Sequence, residues 1–279
     1  TMGRNKQIAI IGYGFVGKAT HLLVDSYYEG TDVQIHDPAY SYKIEDWTGI
    51  DYAFICVPTN LWVDPQKELT GSAVWPSKLD ISIVEDVLSM LPNWLTPVIR
   101  STIGPDQALS LTRKYGAIIM PEFLREDHWQ EDVLDLKIPI VVGAYPSSHQ
   151  DFLLWIKDTR DRVLNKKVWV VNPGEASAIK MFRNAALAVN AGLANEFKEI
   201  CDVYDLDYID VKDFFMQDKT LGTHWQVPGP DGKVGFGGTC LPKDLTHSSS
   251  LCYSSDSIMK TAIAANKIRR KDGKSNRQD

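Results

Sequence analysis

A short apolar run, Gln7–Ile11, leads straight into Gly12-Tyr13-Gly14-Phe15-Val16-Gly17, and a helix-like run, Phe15–Ser26, leads out of it. Three glycines at this spacing between a strand and a helix admit few backbones. Gly12 permits a tight turn, Gly14 lets backbone N–H groups come close to a ligand, and Gly17 allows the helix to lie against the strand. The ligand such a turn suits is a pyrophosphate, whose charge meets the helix N-terminus. The second strand candidate, Val33–His36, ends at Asp37, 20 residues beyond Gly17. A carboxylate there hydrogen-bonds a ribose 2′-hydroxyl and repels a 2′-phosphate, so the pattern favours NAD over NADP. Gly12, Gly14, Phe15, Val16, Gly17 and Asp37 are therefore the first cofactor-binding candidates. The plainer alternative is a glycine turn beside a solvated Asp37.

The same strand–helix alternation continues. Tyr52–Val57, Pro97–Arg100, Ala117–Met120, Ile138–Val142 and Val168–Val171 are rich in β-branched residues and lack a polar face. Strands buried on both faces of a parallel sheet read this way. Between them lie helix candidates at Ile81–Leu91, Gln107–Tyr115 and Ser148–Asp158. The pattern predicts an α/β fold: a Rossmann-like, doubly wound, mostly parallel sheet. After Val171 the texture changes to Gly174–Val203, a long run rich in Ala, Leu, Asn and Lys without proline. A smaller all-helical domain built on a long central helix is expected, with further helices at Tyr208–Met216 and Leu245–Lys267. The expected domains are residues 1–172 and 173–279.

Composition narrows the partners. The 279 residues carry 30 Lys+Arg against 36 Asp+Glu, a net charge of −6. An acidic chain is a poor match for nucleic acid or an anionic membrane surface. No apolar stretch approaches the roughly 20 residues of a membrane span. The four cysteines show no CxxC spacing, which argues against a structural zinc site or a disulfide framework and for a cytoplasmic setting.

Several pairs could carry chemistry. Cys240 and Asp244 follow three glycines in Gly235-Phe236-Gly237-Gly238 and stand four apart, so on a helix they share a face. Cys240 reads equally as a small buried apolar residue, and Asp244 as a cap or surface acid. Glu122 and Glu126 follow the Ala117–Met120 strand, at the end where open α/β sheets place ligands. Lys180 and Asn184 repeat the four-residue spacing on the long helix. Taken singly, each pair is also what a solvated helix face looks like. Ser101 and Thr102 add hydroxyls at the same sheet edge, or cap the next helix.

Taken in order, GYGFVG, VPTN (57–60), STIGP (101–105), PEFLRED (121–127), GEASAIKMFRNAALAVNAGLANE (174–196) and VGFGGTCLPKD (234–244) resemble the UDP-glucose/UDP-N-acetylhexosamine 6-dehydrogenases over nearly the whole chain. The resemblance implies two NAD-dependent hydride transfers that turn a sugar C6 alcohol into a carboxylate, UDP-glucose being the foremost substrate. It implies that Cys240 is the nucleophile, forming a thiohemiacetal and then a thioester, with Asp244 as acid/base. Lys180 and Asn184 would stabilise oxyanions at C6, while Glu126, Glu122 and Thr102 would hold the hydrolytic water. Val57, Pro58, Thr59, Ser101 and Thr102 would line the cofactor. Phe123, Leu124, Arg125, Phe236, Gly237 and Gly238 would wrap the UDP-sugar together with Lys180 and Asn184. A homodimer through the long central helix is expected.

Some features depart from the family. Asn60 stands where VPTP is common, Gly104-Pro105-Asp106 follows STI, and Pro228–Lys233 looks long. Family members continue into a C-terminal UDP-clamping domain, so the sequence reads as a short form. Two other readings remain: a two-electron β-hydroxyacid-type dehydrogenase, which needs no thiol, and a non-catalytic NAD or nucleotide-sugar binding protein.

Overall fold

The computed structural model describes residues 6–26, 32–63, 77–124, 129–135, 139–163, 167–218 and the isolated helical positions 258, 261, 262, 264, 268 and 270. The chain divides into two compact units, Thr1–Arg183 and Asn184–Asp279.

The first unit is built on a seven-stranded sheet. Its strands are β1 (Ile8–Ile11), β2 (Val33–His36), β3 (Tyr52–Ile55), β6 (Thr96–Ile99), β7 (Ile118–Ile119), β8 (Ile140–Gly143) and β9 (Val168–Val171). The spatial order is β2-β1-β3-β6-β7-β8-β9. Every pairing is parallel except β7 with β8, which is antiparallel through Ile119 and Gly143. All seven strands lie where the apolar runs place them, β2 and β9 with the expected ends and the others with ends shifted by one or two residues. The sheet order reverses between β1 and β3, which puts a crevice at their carboxyl ends.

The two faces of the sheet bury different side chains because successive residues of a strand point opposite ways. On one face Ala9, Ile11, Ala53, Ile55, Ile99, Ile119 and Val141 are covered by α2 (Ser82–Met90) and α3 (Pro105–Tyr115), with Ala176 from the first turns of α6 (Pro173–Val203). On the other, Ile8, Ile10, Tyr52, Phe54, Val98, Ile118 and Val142 meet α1 (Phe15–Asp25), α4 (Trp129–Leu134) and α5 (Pro146–Val163). Ile8, Ile10 and Ile55 are wholly buried, each stabilising the fold by about 1.5–3 kcal/mol relative to exposure. Central β1, β3 and β6 therefore have no polar face to show, which is why their sequences lack alternation.

Two pieces go beyond the sequence reading. β4 (Asn60–Val63) and β5 (Ser77–Asp80) form an antiparallel pair outside the main sheet. Ser77-Lys78-Leu79-Asp80 has one apolar residue, too little to signal a strand. α4 has six residues, too few to show a helical period.

In the second unit the remainder of α6 is followed by α7 (Tyr208–Gln217), capped by the Asp207 carboxylate accepting from Ile209 N at 2.7 Å. Phe197 and Phe215 meet with ring centroids 5.7 Å apart. The expected helix Leu245–Lys267 lies outside the described residues apart from the isolated positions above. No helix among the described residues is long and apolar enough to cross a membrane.

Candidate active site

The glycine turn leaves β1 at the sheet reversal. Gly12 has φ +85, and a Cβ there would stand 2.8 Å from the carbonyl oxygen of Cys56 at the end of β3. A Cβ on Gly17 would fall 2.1 Å from the carbonyl oxygen of Gly12. Nothing lies within 4 Å of a Cβ on Gly14. Gly14 is the N-cap of α1, with no side-chain cap and no acidic residue in the first turn. The first N–H groups of α1 thus carry no side-chain cap, and their donors and dipole suit an anion. The residues present fit a dinucleotide pyrophosphate.

Asp37 faces the same turn. Its Oδ2 accepts from Tyr13 N at 2.5 Å and its Oδ1 from Ala39 N at 2.9 Å, the latter starting a 3-10 turn at Pro38–Tyr40. Two accepted bonds leave a carboxylate with room for sugar hydroxyls.

Beside it, hydroxyls tie the two next loops together. Ser101 Oγ donates to Val57 O at 2.6 Å, and Thr59 Oγ1 donates to Thr102 O at 2.7 Å. The capping role open to Ser101 and Thr102 falls instead to Gly104, whose N–H is held by Gln107 Oε1 at 2.8 Å. Val57, Pro58, Thr59, Ser101 and Thr102 are brought together at the carboxyl edges of β3 and β6.

One strand further, Glu122 and Lys180 form a buried ion pair. Lys180 Nζ donates to Glu122 Oε1 and, at 3.0 Å, to the Glu122 backbone carbonyl. Glu122 Oε2 accepts from Leu124 N at 2.7 Å. Both side chains are less than a tenth exposed. α6 delivers Lys180 because the same stripe docks at successive turns: Gly174 against Leu109, Ala176 against the Gly143 position, and Ser177 Oγ on Ile103 O at 2.5 Å. The Arg183 guanidinium sits 5.6 Å over the Phe123 ring.

Arg100 is a residue the motif reading passed over. It is 5% exposed at the end of β6, and among the described residues its Nε has no hydrogen-bond partner. With Glu122 and Leu124 it lines a cavity of about 40 Å³. The available signal was a cation closing the otherwise apolar run Pro97-Val98-Ile99. Burial pushes the neighbouring Cys56 thiol up to about 11, against the opposing pull of Arg100 and a hydrogen bond from Thr20. Cys56 is therefore a protonated, unreactive thiol at neutral pH. A wider cavity of about 560 Å³ opens at the opposite sheet edge among Lys6, Asp51, Trp94 and His149; no motif residue lines it.

Arg125, Glu126, Phe236, Gly237, Gly238, Cys240 and Asp244 lie outside the described residues, as does the side chain of Asn184.

A sheet that reverses between β1 and β3, with a glycine turn opening onto a helix and a carboxylate ending β2, defines a Rossmann-like α/β domain. Residues 174–268 match the UDP-glucose/GDP-mannose dehydrogenase family, central domain. It is 25% identical over 234 residues to the UDP-glucose 6-dehydrogenase of Campylobacter jejuni, covering 81% of this chain and 55% of that protein. It is 28% identical over 259 residues to the UDP-glucose 6-dehydrogenase of Streptococcus pneumoniae, covering 84% and 57%. The chain thus spans little more than half the length of these curated relatives. Its fold matches a ternary complex of GDP-mannose dehydrogenase from Pseudomonas aeruginosa with a TM-score of 0.70 at 20% identity, over 95% of this chain and 69% of the other.

Proposed function

We propose that the protein is an NAD-dependent nucleotide-sugar 6-dehydrogenase that oxidises the C6 alcohol of a UDP-sugar, UDP-glucose foremost, to the uronate. The observation that carries this reading is the buried Lys180–Glu122 pair at the carboxyl edge of the same sheet. Relatives named UDP-glucose 6-dehydrogenase over four-fifths of the chain support it. In this reading residues 1–172 are the NAD-binding domain and residues 173–279 the helical domain.

NAD supplies the hydride acceptor for both oxidations. Gly12, Gly14 and Gly17 leave the α1 N–H groups open to the pyrophosphate, with Phe15 and Val16 in the same first turn. Asp37 takes the adenosine ribose hydroxyls, and Val57, Pro58, Thr59, Ser101 and Thr102 form the wall of the cofactor crevice. An ammonium has three protons, and Lys180 uses two on Glu122, so one remains for an oxygen at C6. There it stabilises the alkoxide as the alcohol becomes an aldehyde, with Asn184 beside it on the helix.

The Cys240 thiol then adds to the aldehyde. Asp244 takes the thiol proton as sulfur bonds C6, and the carbonyl oxygen becomes an alkoxide that Lys180 and Asn184 hold until the second hydride leaves. Loss of a second hydride gives the thioester. Water held by Glu126, Glu122 and Thr102 cleaves it, releasing the acid and the thiol. Phe123, Leu124, Arg125, Phe236, Gly237 and Gly238 hold the UDP-sugar.

Assay of NADH and product with UDP-glucose, UDP-GlcNAc and UDP-ManNAc tests this. Two NADH should appear per acid formed, and Cys240→Ala should abolish acid formation. One NADH per product, unchanged by Cys240→Ala, would instead establish the two-electron β-hydroxyacid-type reading. No NADH with any of the three would leave a non-catalytic binder.

We also infer a homodimer through α6. Ile209 and Phe214 on the following helix are 60% and 69% exposed, which adds to the apolar surface such a contact would cover. Light scattering at micromolar concentration should give twice the chain mass of 31.3 kDa; a monomeric mass refutes the inference.

A further inference from the structure

β6 ends in a charge that its protein neighbours do not satisfy. Val98 and Arg100 point the same way from the strand, so Arg100 emerges on the face covered by α1 and α4. It is 5% exposed, and among the described residues its Nε is buried without a hydrogen-bond partner. A guanidinium is not deprotonated in a protein, so this is a permanent cation held out of water. Burial pulls it below its ordinary range, and the charge of Glu122 is among those opposing that pull. A buried donor left unpaired is costly, and a buried charge more so.

Arg100 shares its cavity of about 40 Å³ with Leu23 of α1, Asp132 and Val133 of α4, and Glu122 and Leu124. Two carboxylates therefore line one small space with the cation. A water needs roughly 10–15 Å³ of such space and two to four polar partners, and both requirements are met here. Glu122 is already held twice: Oε1 accepts from Lys180 Nζ, and Oε2 accepts from Leu124 N at 2.7 Å. A carboxylate has about four lone-pair sites, so it can accept from a third donor. Lys180 arrives on α6, whose Ala176 packs on the opposite face of the sheet. Arg100 and Lys180 thus approach Glu122 from the two sides of the carboxyl edge.

We propose that Arg100 is a positioning residue for the Glu122–Lys180 pair: its Nε–H donates to a water in this cavity, and that water donates to the Glu122 carboxylate. The bridge gives the buried guanidinium its missing acceptor and gives Glu122 a third restraint. A water that joins two buried polar groups is enthalpically close to a direct hydrogen bond. Held from three directions, Glu122 keeps its bond to Leu124 N and fixes the Lys180 ammonium, whose third proton then points one way. The kinetic consequence rests on the dehydrogenase reading above; the restraint itself does not.

Two NMR measurements on the full chain test the restraint. In the native chain the Arg100 Nε proton should show a cross-peak to a long-lived water. Amide hydrogen exchange then compares Leu124 N–H, which reports the Glu122 carboxylate, with the amides of β3, which report global unfolding. In Arg100→Met the Leu124 amide should exchange roughly tenfold faster relative to β3. Arg100→Lys keeps a donor on the cavity and should restore most of that protection. With UDP-glucose and NAD, Arg100→Met should lose roughly 10- to 100-fold in kcat while both KM values stay within about twofold. Absence of the water cross-peak overturns the proposal, as does an unchanged kcat in Arg100→Met. So does an Arg100→Met chain whose Leu124 and β3 amides change together, the result expected of a merely structural buried charge. A native chain that makes no NADH overturns the dehydrogenase reading alone, because the water and exchange measurements still decide this proposal.

Discussion

Gly14 and Gly17 belong to one motif, yet they answer to different demands, and substitution separates them. A Cβ on Gly17 collides with the Gly12 carbonyl, which is backbone and cannot swing aside. Gly17→Ala should therefore cost about 1–3 kcal/mol, read as a lower midpoint in urea. Gly14→Ala meets nothing within 4 Å, so its stability should change by less than about 1 kcal/mol. Its dinucleotide affinity should fall roughly tenfold or more, because the added methyl stands where the pyrophosphate approaches. Cys56 supplies a pH signature. Its thiol keeps its proton up to about 11 in the folded chain, against 9.0 ordinarily. Between those values the unfolded chain binds fewer protons, so stability falls as pH rises from 9 to 11, by about 2–3 kcal/mol for this group. Urea melts at pH 8 and 10.5 should show that decline shrink in Cys56→Ala. Residues whose role is a backbone demand at fixed spacing, such as Gly12, Gly17 and Asp37, were legible in the sequence. Arg100 was not, because its significance comes from burial and from neighbours that only the fold brings together.

At the level of elements, apolar continuity made β1, β3, β6 and β8 readable, and it failed where strands pair away from the core, as in β4 and β5. Ser101 illustrates a second limit. Its position before a helix invites a capping role, whereas its hydroxyl bridges to Val57 and Gly104 takes the cap. Sequence spacing gives proximity along the chain but cannot choose between a partner three residues ahead and one on the neighbouring strand. α6 shows spacing at its most informative. Gly174, Ser177 and Lys180 recur at three-residue intervals, and all three pack against other elements of the first unit. One inserted residue before Lys180 would turn its side chain by about 100° around the helix, away from Glu122.

For the molecule as a whole, the direction of a single strand matters most. β8 runs against β7, and β9 runs with β8, so β9 ends level with Ile119, the last residue of β7, and α6 climbs from there toward Glu122. Over the seven residues from Pro173 to Lys180 that climb is about 10 Å. The ion pair it closes joins positions 58 apart in the chain, with β8 and β9 in the intervening loop. In folding time this makes the pair a latecomer. Both strands must dock before ammonium and carboxylate can meet, so neither charge loses its water before its partner is in place. Lys180→Met should accordingly leave the refolding rate near that of the native chain and steepen the loss on the unfolding side. Stopped-flow chevrons in urea would read this directly, and an equal slowing of refolding would show instead that the pair forms early.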